Sequence, residues 1–406
     1  MSAPVPQFER IMIVQTPPFN PVDGGVQRIS WKLGRFFGRS GVDVSYYSTA
    51  SDGHVEPENG TLFHFGQVSN GKSEGCMHHL TSVLHSIQPQ VILNQMPYEE
   101  PLAKELRVFA QQSGALLIGC LNNSLFATKN NLSNYCRQSL PGSIARFSDN
   151  RAGHAILFVR HWLRHRAQLR AIIDQHDLFV LPTDCPSSVM ELEYFVGSYK
   201  KNKIAAVPNS IELPPATRPE QKQTVTLHVG RINDGQKRSD LLAEIWAGVE
   251  SVAPDWTFDV LGDGPYMDQL KRDIDRRNLQ RLTLWGFQSP DAWYEKSQIF
   301  IMPSAFEGFP SVLLEAQAYG LVPVAFDSYP AVSEILHHDE DALLVPAFDC
   351  AAMAKAIVSL VKDDEKRAKM SQAARRNAEK YSLDRVGATW ISLINQRLAD
   401  QQSTAA

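Results

Sequence analysis

The segment SAFEGFPSVLLEAQAYG, residues 304–320, holds two carboxylates eight positions apart, Glu307 and Glu315. It follows the strand-like run IFIMPS. Pro310 suits the first position of a helix and Gly320 suits its stop. Glu307 is therefore expected in a strand-to-helix loop, at the carboxyl edge of a sheet. Glu315 should lie about one turn inside the helix. The first-turn amides of Ser311, Val312 and Leu313 lack helical partners and form a natural phosphate seat. Glu315 has Ser311 and Tyr319 four residues either side, so its own helix offers it no cation. Among Val, Leu and Ala such a carboxylate must find donors elsewhere or stay protonated. A ligand diol would supply two; a distant arginine would do as well, and a single buried glutamate is more often structural.

A second stretch supplies cations. TLHVGRINDGQKRSD, residues 226–240, reads as a strand ending in Gly230, a turn flanked by Arg231 and Lys237, then a helix. Both cations should reach the carboxyl edge of the same sheet. A guanidinium fork and a point-charge ammonium there suit a diphosphate; taken singly, each is more often a solvated loop residue. Gly262 in LGDGP (261–265) and Phe287 in LTLWGF (282–287) close two further strands, and the backbone of the second could meet a nucleobase edge. In the first half, PPFNPVDGGVQRIS (17–30) sets Gly24 and Gly25 before a helix, which lets backbone approach a phosphate closely. This is not the GxGxxG pattern and is weak alone.

The elements that must position these residues alternate. Strands are expected at 11–15, 42–47, 61–65, 91–94, 115–119, 178–181 and 204–207, then at 225–229, 257–261, 282–285, 298–302, 322–326 and 342–345. Helical patterns separate them, among them 26–38, 98–112, 238–250, 266–277, 311–319, 330–337 and 350–361. Two more, 364–380 and 384–398, close the chain. Strand–helix alternation predicts an α/β fold of two doubly wound parallel sheets. The polar, proline-bearing stretch 207–223 marks the boundary: a first domain over 1–207, rejoined by the last helix at about 384–400, and a second over 208–383. Ligands of such folds bind beyond the carboxyl ends of the strands, and a cleft between the domains is the expected crevice. The Asn- and Ser-rich segment 122–150 reads as a functional loop.

Composition fits this reading. The 406 residues are 43% hydrophobic and 21% charged, with a formal net charge of −4. That balance argues against a nucleic-acid binder. No apolar run reaches the length of a membrane span, and MSAPVPQFER is unlike a secretory leader. The five cysteines (Cys76, Cys120, Cys136, Cys185, Cys350) are scattered, which suits a reducing cytoplasm and no structural zinc.

Together, Gly230-Arg231 with Lys237, GDGP, WGF and Glu307-x7-Glu315 resemble the retaining, nucleotide-sugar-dependent glycosyltransferases of family 4, which have the GT-B fold. The resemblance covers residues 225–346 well. The first domain matches only in outline, through Gly24-Gly25 and the VPNSIE boundary around Asn209. The resemblance implies a fold of two Rossmann-like domains facing each other across a cleft. It implies transfer of a sugar from a UDP- or GDP-linked donor to a hydroxyl of a glycan or glycolipid, in cell-surface polysaccharide synthesis, with no cofactor and no metal. Arg231 and Lys237 would hold the donor diphosphate and Glu315 the ribose hydroxyls. Glu307 would lie beside the transferred sugar. The backbone of Phe309, Pro310, Ser311, Val312 and Leu313, with Gly230 and Gly262, would complete the donor site, and Gly24 and Gly25 would face the diphosphate. Such enzymes usually carry a histidine after a mid-domain strand of the first domain. Here Asn122 and Asn123 stand about there, with Asn94 and Gln95 on the preceding strand; an amide can bond a hydroxyl but cannot be charged. Two alternatives share the fold: a UDP-sugar 2-epimerase, and a non-catalytic relative that only binds a sugar nucleotide.

Two further patterns compete for a role. Asp273-x-Asp275 and Asp339-x-Asp341 look like metal-binding DxD pairs but are expected to be solvated. The stretch RAGHAILFVRHWLRHRAQLRAI, residues 151–172, carries Arg151, Arg160, Arg164, Arg166 and Arg170 and no acid. With Ile156, Leu157, Trp162 and Leu163 it suits an anionic membrane surface, at the inner face of the plasma membrane, a phosphorylated acceptor, or a solvated helix face.

Overall fold

Short buried runs of β-branched and aliphatic residues build two sheets, and both are wholly parallel. In a computed structural model the described residues are all except 1–3, 17–23, 50–61, 66–73, 124–150, 198, 200, 216–221 and 406. The expected loop over 122–150 thus falls almost entirely outside them. The first sheet comprises β1 (Arg10–Gln15), β2 (Asp43–Ser48), β3 (Leu62–Phe65), β4 (Val91–Asn94), β5 (Leu116–Cys120), β6 (Leu178–Leu181) and β7 (Ile204–Ala206). Its order is β3-β2-β1-β4-β5-β6-β7. The second comprises β8 (Val225–Val229), β9 (Thr257–Leu261), β10 (Leu282–Gly286), β11 (Ile299–Met302), β12 (Val322–Asp327) and β13 (Leu343–Pro346). Its order is β10-β9-β8-β11-β12-β13. Buried runs such as VILN in β4 and IFIM in β11 reflect sheets covered on both faces.

The covering helices of the first sheet are α1 (Gly25–Arg39), α2 (Glu74–Ile87), α3 (Glu100–Ser113), α4 (Arg151–Gln175) and α5 (Pro186–Val196). Those of the second are α6 (Leu242–Glu250), α7 (Met267–Arg276), α8 (Asp291–Lys296), α9 (Ser311–Ala318), α10 (Val332–Ile335), α11 (Cys350–Lys362) and α12 (Asp364–Ala378). The last helix, α13 (Leu383–Ala405), belongs to the first unit. Among the described residues that unit is drawn from 1–123, 159–210 and 383–406, and the other from 151–158 and 211–382. The architecture is the doubly wound GT-B class. Where a single helix was expected over 238–250, a 3₁₀ turn at Ser239–Leu241 precedes α6. The expected 330–337 helix shrinks to the four residues of α10.

Three features explain how the elements stop and pack. Asp349 and Asp363 cap α11 and α12, their carboxylates accepting from the Ala352 and Lys366 amides at 2.8 Å. Helix α12 begins with Asp364 and Glu365 and ends with Arg375 and Arg376, as its dipole favours. Helix α13 buries Val386, Trp390, Ile391 and Ile394 in the core that also contains Phe36 and Phe37 of α1. Gly387 permits this approach: a Cβ there would stand 2.4 Å from the Phe36 ring.

Both strand orders reverse at one point, between β1 and β4 in the first sheet and between β8 and β11 in the second. Loops leaving the two central strands in opposite directions open a crevice there. In the second unit those are the loops that carry Lys237 and Glu307.

Candidate active site at the switch point of the second sheet

The loop after β8 is folded by Asn233. Its Oδ1 accepts from the amides of Gln236 (3.0 Å) and Lys237 (2.9 Å), and its own amide donates to Ser239 Oγ at 3.1 Å. The Gln236 carbonyl accepts from the Ala305 amide at 2.7 Å, which stitches this loop to the one after β11. The two loops deliver their side chains to one place. Lys237 Nζ donates to Glu307 Oε1 at 2.6 Å, and Gln236 Nε2 donates to Glu307 Oε2 at 3.0 Å. Glu307 is only 7% exposed, so the carboxylate is removed from water and held at both oxygens. Charge-assisted bonds of this kind are strong and directional. Arg231, one residue past Gly230, is exposed and has no ion-pair partner among the described residues. The expected cation pair therefore divides into a half-buried ammonium fixed on a carboxylate and an exposed guanidinium.

The backbone beneath is drawn tight. The Gly230 amide donates to the Leu261 carbonyl at 3.0 Å, and the Gly262 amide to the Gly286 carbonyl at 2.7 Å. The carboxyl ends of β8, β9 and β10 are thereby laced together. Gly262 has φ +132, and a Cβ there would stand 1.8 Å from the Gly230 carbonyl oxygen. No other residue fits that position.

Helix α9 starts behind Glu307. Phe309, Pro310 and Leu313 are buried, while Ser311 and Val312 are half-buried. Phe309 lies against Tyr381, with ring centroids 5.5 Å apart. The expectation of three open amides needs correction: the Leu313 amide donates to the Pro310 carbonyl at 3.1 Å, a tightened first turn. Glu315 is 8% exposed, and Tyr294 Oη donates to its Oε2 at 3.4 Å. Tyr294 stacks on Tyr319, which donates to Asp291 at 3.2 Å. The buried glutamate thus has a tyrosine partner from α8. Phe287 is exposed just beyond β10. Its neighbour Trp285 is anchored by donating to Asp259 at 2.9 Å.

Three buried groups at this edge were not singled out from the sequence. His228 lies under Gly230, with Nδ1 at 3.0 Å from the Ile301 carbonyl, so Nδ1–H donates and Nε2 is the acceptor. Nε2 is buried without a partner among the described residues. Burial, and secondarily Lys237, pushes the imidazole down to about 4, so it is neutral. Tyr329 Oη is likewise buried without a partner, and burial followed by the neighbouring Glu307 raises the phenol well above its ordinary value. Ser304 Oγ is the third. Buried polar atoms without partners are unusual and cluster where a ligand completes the bonding.

In the first unit, Gly24 and Gly25 begin α1 directly after β1, at that sheet's own switch point. A Cβ on Gly25 would meet nothing within 4 Å, so the protein's own packing does not demand glycine there. Asn94 ends β4, Gln95 follows it, and both are buried. Asn122 donates through Nδ2 to the Gln95 carbonyl at 2.8 Å and to Gln95 Oε1 at 3.1 Å, while Asn123 is exposed. A histidine does contribute here: His176 is fully buried, its Nε2 3.1 Å from Asn94 Nδ2 and its Nδ1 2.7 Å from the Ile172 carbonyl. Burial lowers it to about 4, so it orients Asn94 as a neutral ring.

The DxD pairs are corrected in part. Asp275 and Asp339 are exposed, as expected, but Asp273 and Asp341 are buried. Asp273 accepts from Tyr266, Gln269 and Arg276. Asp341 accepts from the His337 amide and ring. Each is spent on local structure. Among the described residues there is no cluster of three or more His, Cys, Asp or Glu side chains that could hold a metal.

Residues 209–377 match the model of glycosyl transferases group 1. This stretch contains every second-unit residue just described except Tyr381. An uncharacterised glycosyltransferase of Haemophilus influenzae is 28% identical over 199 residues, which cover 48% of this chain and 56% of that protein. A poly(glycerol-phosphate) alpha-glucosyltransferase of Bacillus subtilis is 28% identical over 147 residues, 36% of this chain and 22% of that one. The chain spans about half the length, or less, of these curated relatives. In fold it is similar to Anabaena Alr3699/HepE, solved in complex with UDP and glucose. The TM-score is 0.70 at 14% identity, covering 96% of this chain and 100% of the other. That likeness concerns the fold.

Proposed function

We propose that the protein transfers a sugar from a UDP- or GDP-linked donor to a hydroxyl of a glycan or glycolipid, with retention and without a metal, in the making of a surface polysaccharide. The observation that carries the reading is the buried Glu307 held by Lys237 and Gln236 at the switch point of the second sheet. It lies inside the stretch that matches glycosyl transferases group 1. The H. influenzae and B. subtilis relatives bear glycosyltransferase names, which supports the reaction class.

In the proposed reaction the bond from the anomeric carbon to the donor phosphate breaks and a bond to the acceptor oxygen forms on the same face. The acceptor proton passes to the departing phosphate oxygen. Charge grows on the diphosphate as it leaves, and Lys237 and Arg231 supply fixed and mobile positive charge there. The Ser311 and Val312 amides add the positive end of α9. Glu307 faces the sugar, orients its hydroxyls and offsets the positive charge that develops at the anomeric carbon. Glu315 accepts from the ribose hydroxyls.

Glu315 gives a test that separates recognition from chemistry. Glu315→Gln is expected to raise the KM for the nucleotide sugar about tenfold or more, as loss of a charged hydrogen bond does, with kcat within a fewfold of wild type. Steady-state kinetics against donor concentration check this. A variant with unchanged KM would remove Glu315 from the donor site.

A further inference from the structure

Helix α4 turns hydrophobic side chains outward. Val159 is 52% exposed and Leu163 57%; four residues apart, they share one face. Arg160 and Arg164, also four apart and exposed, run beside them. On α5, Met190 is 67% exposed and Tyr194 43%. The two helices are tied in place: Trp162 Nε1 donates to the Tyr194 carbonyl at 3.2 Å, and Arg170 Nε donates to the Val196 carbonyl at 2.5 Å. Arg170 thereby caps the negative end of α5. Arg166 stacks on Trp162, 4.9 Å from its ring centroid. Arg160 and Arg164 have no such duty, and no carboxylate pairs with them among the described residues. From 151 to 173 the sequence has no acid.

We infer that this α4–α5 face rests on an anionic lipid bilayer, with Val159, Leu163 and Met190 entering the headgroup region and Arg160 and Arg164 meeting lipid phosphates. The pairing of exposed aliphatic side chains with arginines that no described carboxylate pairs selects that partner. An acidic protein or soluble polyanion would be met by the arginines alone and gives no reason to leave Val159, Leu163 and Met190 in water. Interfacial helices combine apolar insertion with basic flanks in this way. No helix among the described residues is long and apolar enough to cross a membrane, so the contact is peripheral. The inference rests on the proposed transferase activity only for its purpose, which is to bring a lipid-linked acceptor to the enzyme.

The test is co-sedimentation with phosphatidylcholine vesicles, with and without about one third phosphatidylglycerol. The full chain is expected to bind the anionic vesicles, to ignore the neutral ones, and to be released by high salt. The double variant Arg160→Ala/Arg164→Ala should bind about thirtyfold less tightly, each arginine near an anionic surface being worth ~1 kcal/mol. Leu163→Glu/Met190→Glu should also abolish binding; both residues are exposed, so the fold should survive, which the melting temperature verifies. The inference is overturned if vesicles of both kinds are ignored, if either double variant binds as wild type, or if heparin captures the protein as well as anionic vesicles do. Donor hydrolysis measured without vesicles reports the transferase separately, so failure here and failure there are distinguishable.

Discussion

Replacing Lys237 with alanine is expected to slow sugar transfer by two to three orders of magnitude, the usual loss when one fixed electrostatic group is removed from a transition state. The side chain is largely buried and its Nζ lies 2.6 Å from Glu307 Oε1. In the proposed reaction this one ammonium would both hold Glu307 and reach toward the leaving diphosphate. Removing it leaves Glu307 buried with, among the described residues, Gln236 as its one remaining side-chain donor, so a drop in stability is also expected. The double variant Lys237→Ala/Glu307→Gln separates the two effects. It removes the stranded charge and should recover much of the melting temperature while activity stays at the level of the single variant. Residues acting as one unit show this non-additivity. Lys237→Arg should not rescue, because a planar fork does not reproduce a compact point charge. Full transfer by Lys237→Ala, or recovery of activity in the double variant, would make the pair structural only.

The second large effect is expected at Gly262. Its φ of +132 disfavours any side chain, and a Cβ would stand 1.8 Å from the Gly230 carbonyl oxygen. That oxygen cannot retreat easily: the Gly230 amide is bonded to the Leu261 carbonyl, and the Gly262 amide to the Gly286 carbonyl. Gly262→Ala should therefore destabilise by about 2–6 kcal/mol, the sum of ~1–3 for backbone strain and ~1–3 for overpacking. It should also spread the β8–β9 edge on which Arg231 and Lys237 stand, so nucleotide binding should weaken with stability. Denaturant titration checks the first and calorimetry the second. Gly25→Ala is the control, since a Cβ there meets nothing. It should leave stability within about 0.5 kcal/mol, the range of a surface change. A Gly262→Ala protein as stable as wild type would mean the lacing of the three strands is not what holds this edge.

Much of the second unit was legible because its information is local. Buried β-branched runs bounded by Gly and Pro gave the strands to within a residue or two. The Pro310 start placed α9 and put Glu307 in its loop. Placing Lys237 and Glu307 at one edge followed from strand–helix alternation alone. Their 2.6 Å contact did not, because it joins residues 70 apart in sequence and depends on β8 and β11 being neighbours. The same limit hid Tyr329, His228 and Gln236, whose side chains matter through what lies across the sheet. Asp273 and Asp341 misled in the opposite sense. Each is an ordinary acid in a polar segment, and only tertiary packing shows that one is wrapped by Tyr266, Gln269 and Arg276, the other by His337. In the first unit a histidine was sought beside the amides of Asn94 and Asn122. The histidine that contacts Asn94, His176, stands on another element, directly after α4.

The most direct test of the account is acceptor-free hydrolysis of a panel of UDP- and GDP-linked sugars by the wild-type chain and by Glu307→Gln, after a thermal-shift screen for binding. One nucleotide should raise the melting temperature of both proteins. With the wild type alone, its sugar should be released slowly, in the presence of a chelator, and with the donor's anomeric configuration. If no nucleotide sugar shifts the melting of the folded protein, or if Glu307→Gln hydrolyses the donor as fast as wild type, the switch-point site is not where sugar is transferred.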